Sequence, residues 1–200
     1  TSRELRSVKR IPRRDPTTKI HMKTLLLLLV FITLPAVAQD WKLDAGKSQI
    51  GFAIRQMNVP TEGGFKRFIA KANFDPARPE SGRFQVEVDL NSIDTGSEEG
   101  DAEVKRPAWF DAARHPRATF VSKSVRKEAN GGYTAFGDMT IKGQTRPFTA
   151  PFSLLRQPGG GFLAQGRFSL KRSDFGIGGG DWDEVVANEA DIRFKIVLLP

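Results

Sequence analysis

From Gln39 onward, apolar residues recur at every second position, and a period of two marks strands with one dry face and one wet face. The stretch QIGFAIRQ puts Ile50, Phe52 and Ile54 on one face; FIAKANF does the same with Phe68, Ala70, Ala72 and Phe74, and RFQVEVDL with Phe84, Val86, Val88 and Leu90. The alternation returns in ATFVSKSVRK, GGYTAFGDMTIKG, RPFTAPFSLLRQ, GFLAQGRFSLKR and ADIRFKIVLL. Turn signals separate these runs at Asn130-Gly131-Gly132, at Lys142-Gly143 and at Pro158-Gly159-Gly160-Gly161. The pattern predicts an all-β chain of about eight strands. One stretch breaks it: GSEEGDAEVKRPAWFDAA, residues 96–113, predicts a loop with a short helical insertion near residues 100–113, interrupted at Pro107.

Strands with one apolar face, joined by short hairpins, must bury that face against itself, and an up-and-down antiparallel barrel does so. The inward register mixes large residues (Phe52, Phe68, Phe84, Phe152, Phe162, Phe168) with small ones (Ala70, Ala72, Ala135, Gly137, Ala150, Ala164, Gly166). In a barrel of about eight strands this mixture leaves an elongated apolar cavity. The alternative is a closed sandwich in which the small residues sit opposite the large ones.

Length and composition narrow the picture. With 200 residues, 39% hydrophobic and 15 Phe, the chain can build a core without disulfides, and it has no Cys. The net charge of +8 would suggest a nucleic-acid partner, but residues 1–38 hold eight of the 31 Lys and Arg and two of the 23 acids. The other 162 residues therefore carry 23 minus 21, about +2, and nucleic-acid binding is not expected. Met22 and Lys23, the apolar run from Leu25 to Leu34, and Ala36-Val37-Ala38 read as a signal peptide over residues 22–38, which predicts export. Residues 1–21 read as an over-extended leader, and residues 39–200 as a single domain.

Catalytic parts are scarce. Beyond the leader the single His is His115 in RHPRATF, explained by a turn before Pro116, so zinc and haem sites and Ser-His or Cys-His catalysis all lack components. Gly176, Gly178, Gly179 and Gly180 do not follow the G-x-G-x-x-G spacing and precede no helix, which predicts a mobile connection over one barrel mouth rather than a phosphate loop. Asp174, Asp181, Asp183 and Glu184 form either a solvated acidic loop or the carboxylate set of an envelope enzyme.

Six segments in order, WKLDAGKSQIGFAI, GGFKRFIAKANFDP, LNSIDTG, WFDAARHPRATFVSKSV, GDMTIKGQTRPFTAPF and RSDFGIGGGDW, resemble the signatures of the YceI-like family of periplasmic polyisoprenoid-binding proteins. The resemblance covers residues 40–200 and implies an eight-stranded antiparallel lipocalin-like barrel. It also implies no catalysis and no cofactor, but a bound isoprenoid lipid, a polyprenyl phosphate or a quinone, in an apolar tunnel in the periplasm. The chain departs from the family pattern at Lys47-Ser48, at Gln56-Met57 and at Gly100. The ending GIGGGDWDEVVANEADIRF resembles a branch found beside b-type cytochromes, which implies a membrane cytochrome as a partner. Expected tunnel walls are Phe52, Ile54, Phe68, Phe84, Val86, Val88, Phe110, Phe120, Phe152, Phe175 and Trp182, with Trp109-Phe110 plugging one end. Arg172 and Asp174 are expected either at the head group or as a structural ion pair, with Lys47 and Arg106 as further cations for a phosphate. A ligand-free module that docks on a cytochrome is a third reading.

Overall fold

The computed structural model describes residues 39–75 and 77–200. The leader expected over residues 1–38 lies outside them. Eleven strand segments and one α-helix follow one another: β1 Gln39–Leu43, β2 Gln49–Gln56, β3 Val59–Phe65, β4 Phe68–Asp75, β5 Arg78–Asp89, β6 Ile93–Asp94, α1 Glu98–Val104, β7 Arg117–Lys127, β8 Tyr133–Ile141, β9 Gln144–Arg156, β10 Phe162–Lys171 and β11 Val186–Leu199.

Three pairs of segments are single paths with a local break. β1 runs into β2 through a 3₁₀ turn at Ala45–Lys47, β3 continues into β4, and β5 continues into β6 through a 3₁₀ turn at Leu90–Ser92. The result is eight antiparallel staves, each paired with its neighbour in sequence. β11 closes the ring, pairing with β2 along Val186–Lys195 and with β1 at Lys42↔Leu199 and Leu43↔Leu198. Closure decides for the barrel over the sandwich and leaves no long open edge among the described residues.

The alternating register is as the pattern predicts. Ala70, Ala72, Ala135, Ala150 and Ala164 are buried on the inner face, with Ala135 directly opposite Ala150. Gly137 and Gly166 serve a different purpose. A Cβ on Gly137 would strike the Val121 carbonyl beside the irregularity between Ser122 and Ser124, and one on Gly166 would strike Pro151 and the Phe194 ring. They allow neighbouring strands to approach where the barrel wall bends.

β1 and β3 escape the sequence pattern because β1 has only five residues and β3 carries Pro60, Gly63 and Gly64. The helix is shorter than the expected 100–113. Ser97 caps it, its Oγ accepting from the Gly100 N–H at 3.0 Å, and it ends at Val104 because Pro107 cannot continue it. Residues beyond it turn back, with Phe110 N–H donating to the Val104 carbonyl at 3.0 Å and Ala112 N–H to Lys105 at 3.0 Å.

Candidate functional site

The two ends of the barrel are closed differently. At the end where β1 begins, Trp41, Phe74, Phe162 and Leu198 pack into a plug. Trp41 stacks on Phe74 at 5.1 Å, meets Phe162 edge-on at 4.9 Å, and its indole N–H donates to the Phe74 carbonyl at 3.2 Å. The other end is covered by α1, by residues 105–114 and by the segment 172–185, whose Trp109, Phe175 and Ile177 pack into one cluster.

Arg172 organises that cover. It is 3% exposed, and its Nε donates to the Ala187 carbonyl at 3.1 Å. Nη1 donates to the carbonyls of Ile177 (2.9 Å) and Gly178. Nη2 donates to Trp182 O (3.2 Å), to Val186 O (2.7 Å) and to the Asp183 carboxylate (3.0 Å). A guanidinium has only five N–H groups, so these six acceptors occupy it fully. The expected Arg172–Asp174 pair is therefore corrected: the ionic partner is Asp183, while Asp174 is exposed and uses only its backbone carbonyl, which accepts from Arg146 Nε at 3.2 Å. The short 3₁₀ turn at Arg172–Phe175 is the cause, since it directs Arg172 inward and Asp174 outward.

The glycine segment does lie over the mouth, but it is pinned rather than loose. Besides the arginine, Gly178 N–H donates to the Ala108 carbonyl at 2.8 Å, and Lys142 Nζ reaches the carbonyls of Gly176 (2.6 Å) and Ala108 (3.4 Å). Gly176 and Gly178 have positive φ of 63° and 58°, and a Cβ on Gly178 would press into the Trp109 ring. Lys142 was legible only as a turn residue. Its clasp on the loop has no sequence signal.

Between plug and cover lies a cavity of about 550 Å³, within the range of small-molecule sites. Its wall runs from Leu198 and Phe84 near the plug to Trp109, Ile177 and Trp182 under the cover. Phe52, Ile54, Phe84, Val86, Val88, Phe110, Phe120 and Phe152 all line it, as do Arg172 and Trp182. Most of these large inward side chains are only half-buried, because each has a neighbour on one side and open space on the other. The buried alanines 70, 72, 135, 150 and 164 provide the width. Phe68 packs against the plug-side core and Phe175 is sealed within the cover cluster, so neither forms the wall.

Polar groups gather on one flank of the mouth. Gln56 and Thr61 face it from the β2–β3 hairpin, and Thr95, Ser97, Glu99, Gly100 and Glu103 from the start of α1. Asp101 docks the helix there, accepting from the Thr95 N–H at 2.6 Å and the Thr95 hydroxyl at 2.8 Å. Of the expected cations, Lys47 is outside the wall, paired with Asp44 at 3.1 Å, whereas Arg106 stands beside the flank, paired with the lining residue Glu103 at 2.9 Å. Trp109 is more than a plug. It lines the cavity, meets Trp182 edge-on at 5.3 Å, and its buried indole N–H has no partner. Among the described residues no group of three His, Cys, Asp or Glu is placed to hold a metal, and no helix is long and apolar enough to cross a membrane.

A closed eight-staved antiparallel barrel around an apolar cavity is the lipocalin-like architecture. Within that class, the chain belongs to the YceI-like domain family, whose profile matches residues 41–198. A UPF0312 protein of Yersinia pestis (strain Pestoides F) is 33% identical over 167 residues, which is 78% of this chain and 86% of that protein. The crystal structure of Burkholderia cenocepacia BcnA is similar at 37% identity with a TM-score of 0.74, over 78% of this chain and 99% of that one. A polyisoprenoid binding domain from Saccharophagus degradans shares the fold at 15% identity, TM-score 0.62, over 80% of this chain and 97% of that domain.

Proposed function

We propose that this protein is a binding protein that holds a long isoprenoid lipid in its barrel and carries it in the periplasm. The observation that carries the reading is the row of large apolar side chains left half-buried around a 550 Å³ cavity, in a barrel shared with a polyisoprenoid binding domain. Burying apolar area contributes roughly 0.8 kcal/mol per CH₂, so a tail of a few isoprene units that completes the contacts of these walls repays its ordering cost. The periplasmic setting rests on the leader sequence at residues 22–38. Against an envelope enzyme, the acidic loop residue Asp183 is committed to Arg172, and the Thr95–Asp101 pair at the mouth is used to dock α1. The test is to purify the exported protein without detergent, extract it with organic solvent and identify prenyl species by mass spectrometry. A prenyl lipid at about one per protein supports the reading; an extract free of prenyl lipid, and no uptake when such lipids are supplied, overturns it.

A further inference from the structure

The outer wall of the barrel beside the plug carries an apolar row where the strand pattern calls for polar residues. Phe162 and Ala164 point into the barrel, so Leu163 between them points out. It lies directly opposite Leu155 on β9 and Val197 on β11. Leu199 follows on the same face of β11, opposite Lys42. Leu155 and Leu199 are 48% and 41% exposed. Three adjacent strands make this row about 10 Å wide. Leu163, Val197 and Leu199 line a surface groove that also takes in the Gly159 turn and Lys47 of the 3₁₀ turn at Ala45–Lys47.

The charges around the groove are of one sign. Its lining includes the exposed Lys47 and Lys195 and no carboxylate, and the exposed Lys42 stands beside Leu199. Asp44 pairs with Lys47 at 3.1 Å, and Asp40, two residues back from Lys42, accepts from Asn73 Nδ2 at 2.5 Å. Lys42 and Lys195 have no carboxylate partner among the described residues. The other exposed apolar point, the β2–β3 hairpin tip with Met57 and Val59, has the opposite surroundings. Met57 N–H donates to the Val185 carbonyl at 2.7 Å, which seats that tip beside the exposed Asp181, Asp183 and Glu184. An anionic surface attracts an apolar patch set among lysines and repels one set among carboxylates.

We infer that the plug-end flank of the barrel docks on the surface of an anionic phospholipid bilayer. Leu155, Leu163 and Leu199 enter the head-group layer, Lys42, Lys47 and Lys195 meet its phosphates, and the acidic mouth stays off the surface. This docking does not depend on what the cavity holds. Co-sedimentation of the exported protein with vesicles tests it, using phosphatidylcholine alone and phosphatidylcholine mixed equally with phosphatidylglycerol. Binding to the mixed vesicles is expected to be at least about tenfold tighter and to weaken as salt is raised. Lys42→Gln and Lys195→Gln should each lower it about fivefold, the worth of one basic residue near an anionic surface. Leu155→Ser with Leu199→Ser should lower it as well, with folding matched by circular dichroism. Met57→Ser, and Lys171→Gln at the mouth end of β10, should leave it unchanged. No binding to the mixed vesicles, equal binding to both kinds, or indifference to the leucine changes overturns the inference. Losses from Lys171→Gln as large as from Lys195→Gln overturn it too, as the attraction is then diffuse. A dimer in sedimentation velocity that Leu155→Ser abolishes also overturns it, since a second copy then covers the groove. Each of these outcomes leaves the isoprenoid reading to its own extraction test.

Discussion

Each end of the barrel is built around a tryptophan, and the two tryptophans are satisfied in different ways. Trp41 sits in the plug with its N–H on the Phe74 carbonyl and its ring between two phenylalanines, so the plug is complete in itself. Trp109 sits under the cover with its ring held by Gly178 and Trp182 and its N–H unpaired. The plug is made by strand packing, the cover by one arginine gathering the carbonyls of a loop. A barrel with two ends like the first would be a sealed core; one end like the second leaves a cavity with a mouth and polar groups on its flank.

The comparison can be broken at the plug first. Phe74 is fully buried, and Phe74→Ala is expected to cost about 3–5 kcal/mol in urea unfolding, with loss of cooperativity across the barrel. At the cover, Arg172→Met deprives five carbonyls and one carboxylate of their donor and should cost about 3 kcal/mol. Here the damage should be local: amide exchange rises over residues 172–187 while β4 and β10 stay protected. The sharpest contrast is between the tryptophans. Trp41→Phe removes a made hydrogen bond and should destabilise by about 1 kcal/mol, whereas Trp109→Phe removes an unmade one and should leave stability unchanged or slightly higher in the same assay.

Acid gives the smallest effect. The Asp94 carboxyl is held below its ordinary value by the hydrogen bond from Lys66, and further by the Gly96 N–H and the ammonium charge; the same hydrogen bond, with the Asp94 charge behind it, raises the Lys66 amine. A depressed carboxyl pKa stabilises the fold above the ordinary carboxylate value and loses that contribution as pH falls through the depressed one. Lowering the pH below about 4 should therefore loosen the β3–β6 flank of the mouth, seen as faster amide exchange there, before the apolar plug responds. Lys66→Ala should remove most of that pH dependence.

How much of this was legible depends on what each region relies on. The staves follow from alternation, a property of single residues and their neighbours, and Phe52, Phe84, Phe152 and Phe168 could be assigned to the inner face before any pairing was known. The breaks at Ala45–Lys47 and Leu90–Ser92, and the Gly-rich β3, carry no alternation and so left no trace. The cover was the hardest part, because Arg172 and Asp174 look like partners at a spacing of two, yet a 3₁₀ turn separates their side chains and the true partner Asp183 lies 11 residues on. Gly137 and Gly166 were read as sources of cavity volume from their size alone; only the approach of Val121 and Phe194 shows that they allow the wall to bend.

The central claim is that the space between the alanines is where the lipid lies. Ala150 lines that space opposite Ala135, in a buried cluster that includes neither the plug residues Trp41 and Phe74 nor Arg172, so Ala150→Phe fills the space while leaving the residues of both ends unsubstituted. The decisive measurement is the prenyl-lipid content of detergent-free extracts from the wild-type protein and the Ala150→Phe variant, purified side by side and matched for folding by circular dichroism. The account predicts lipid near one per protein in the first and nearly none in the second; equal lipid in both would contradict it.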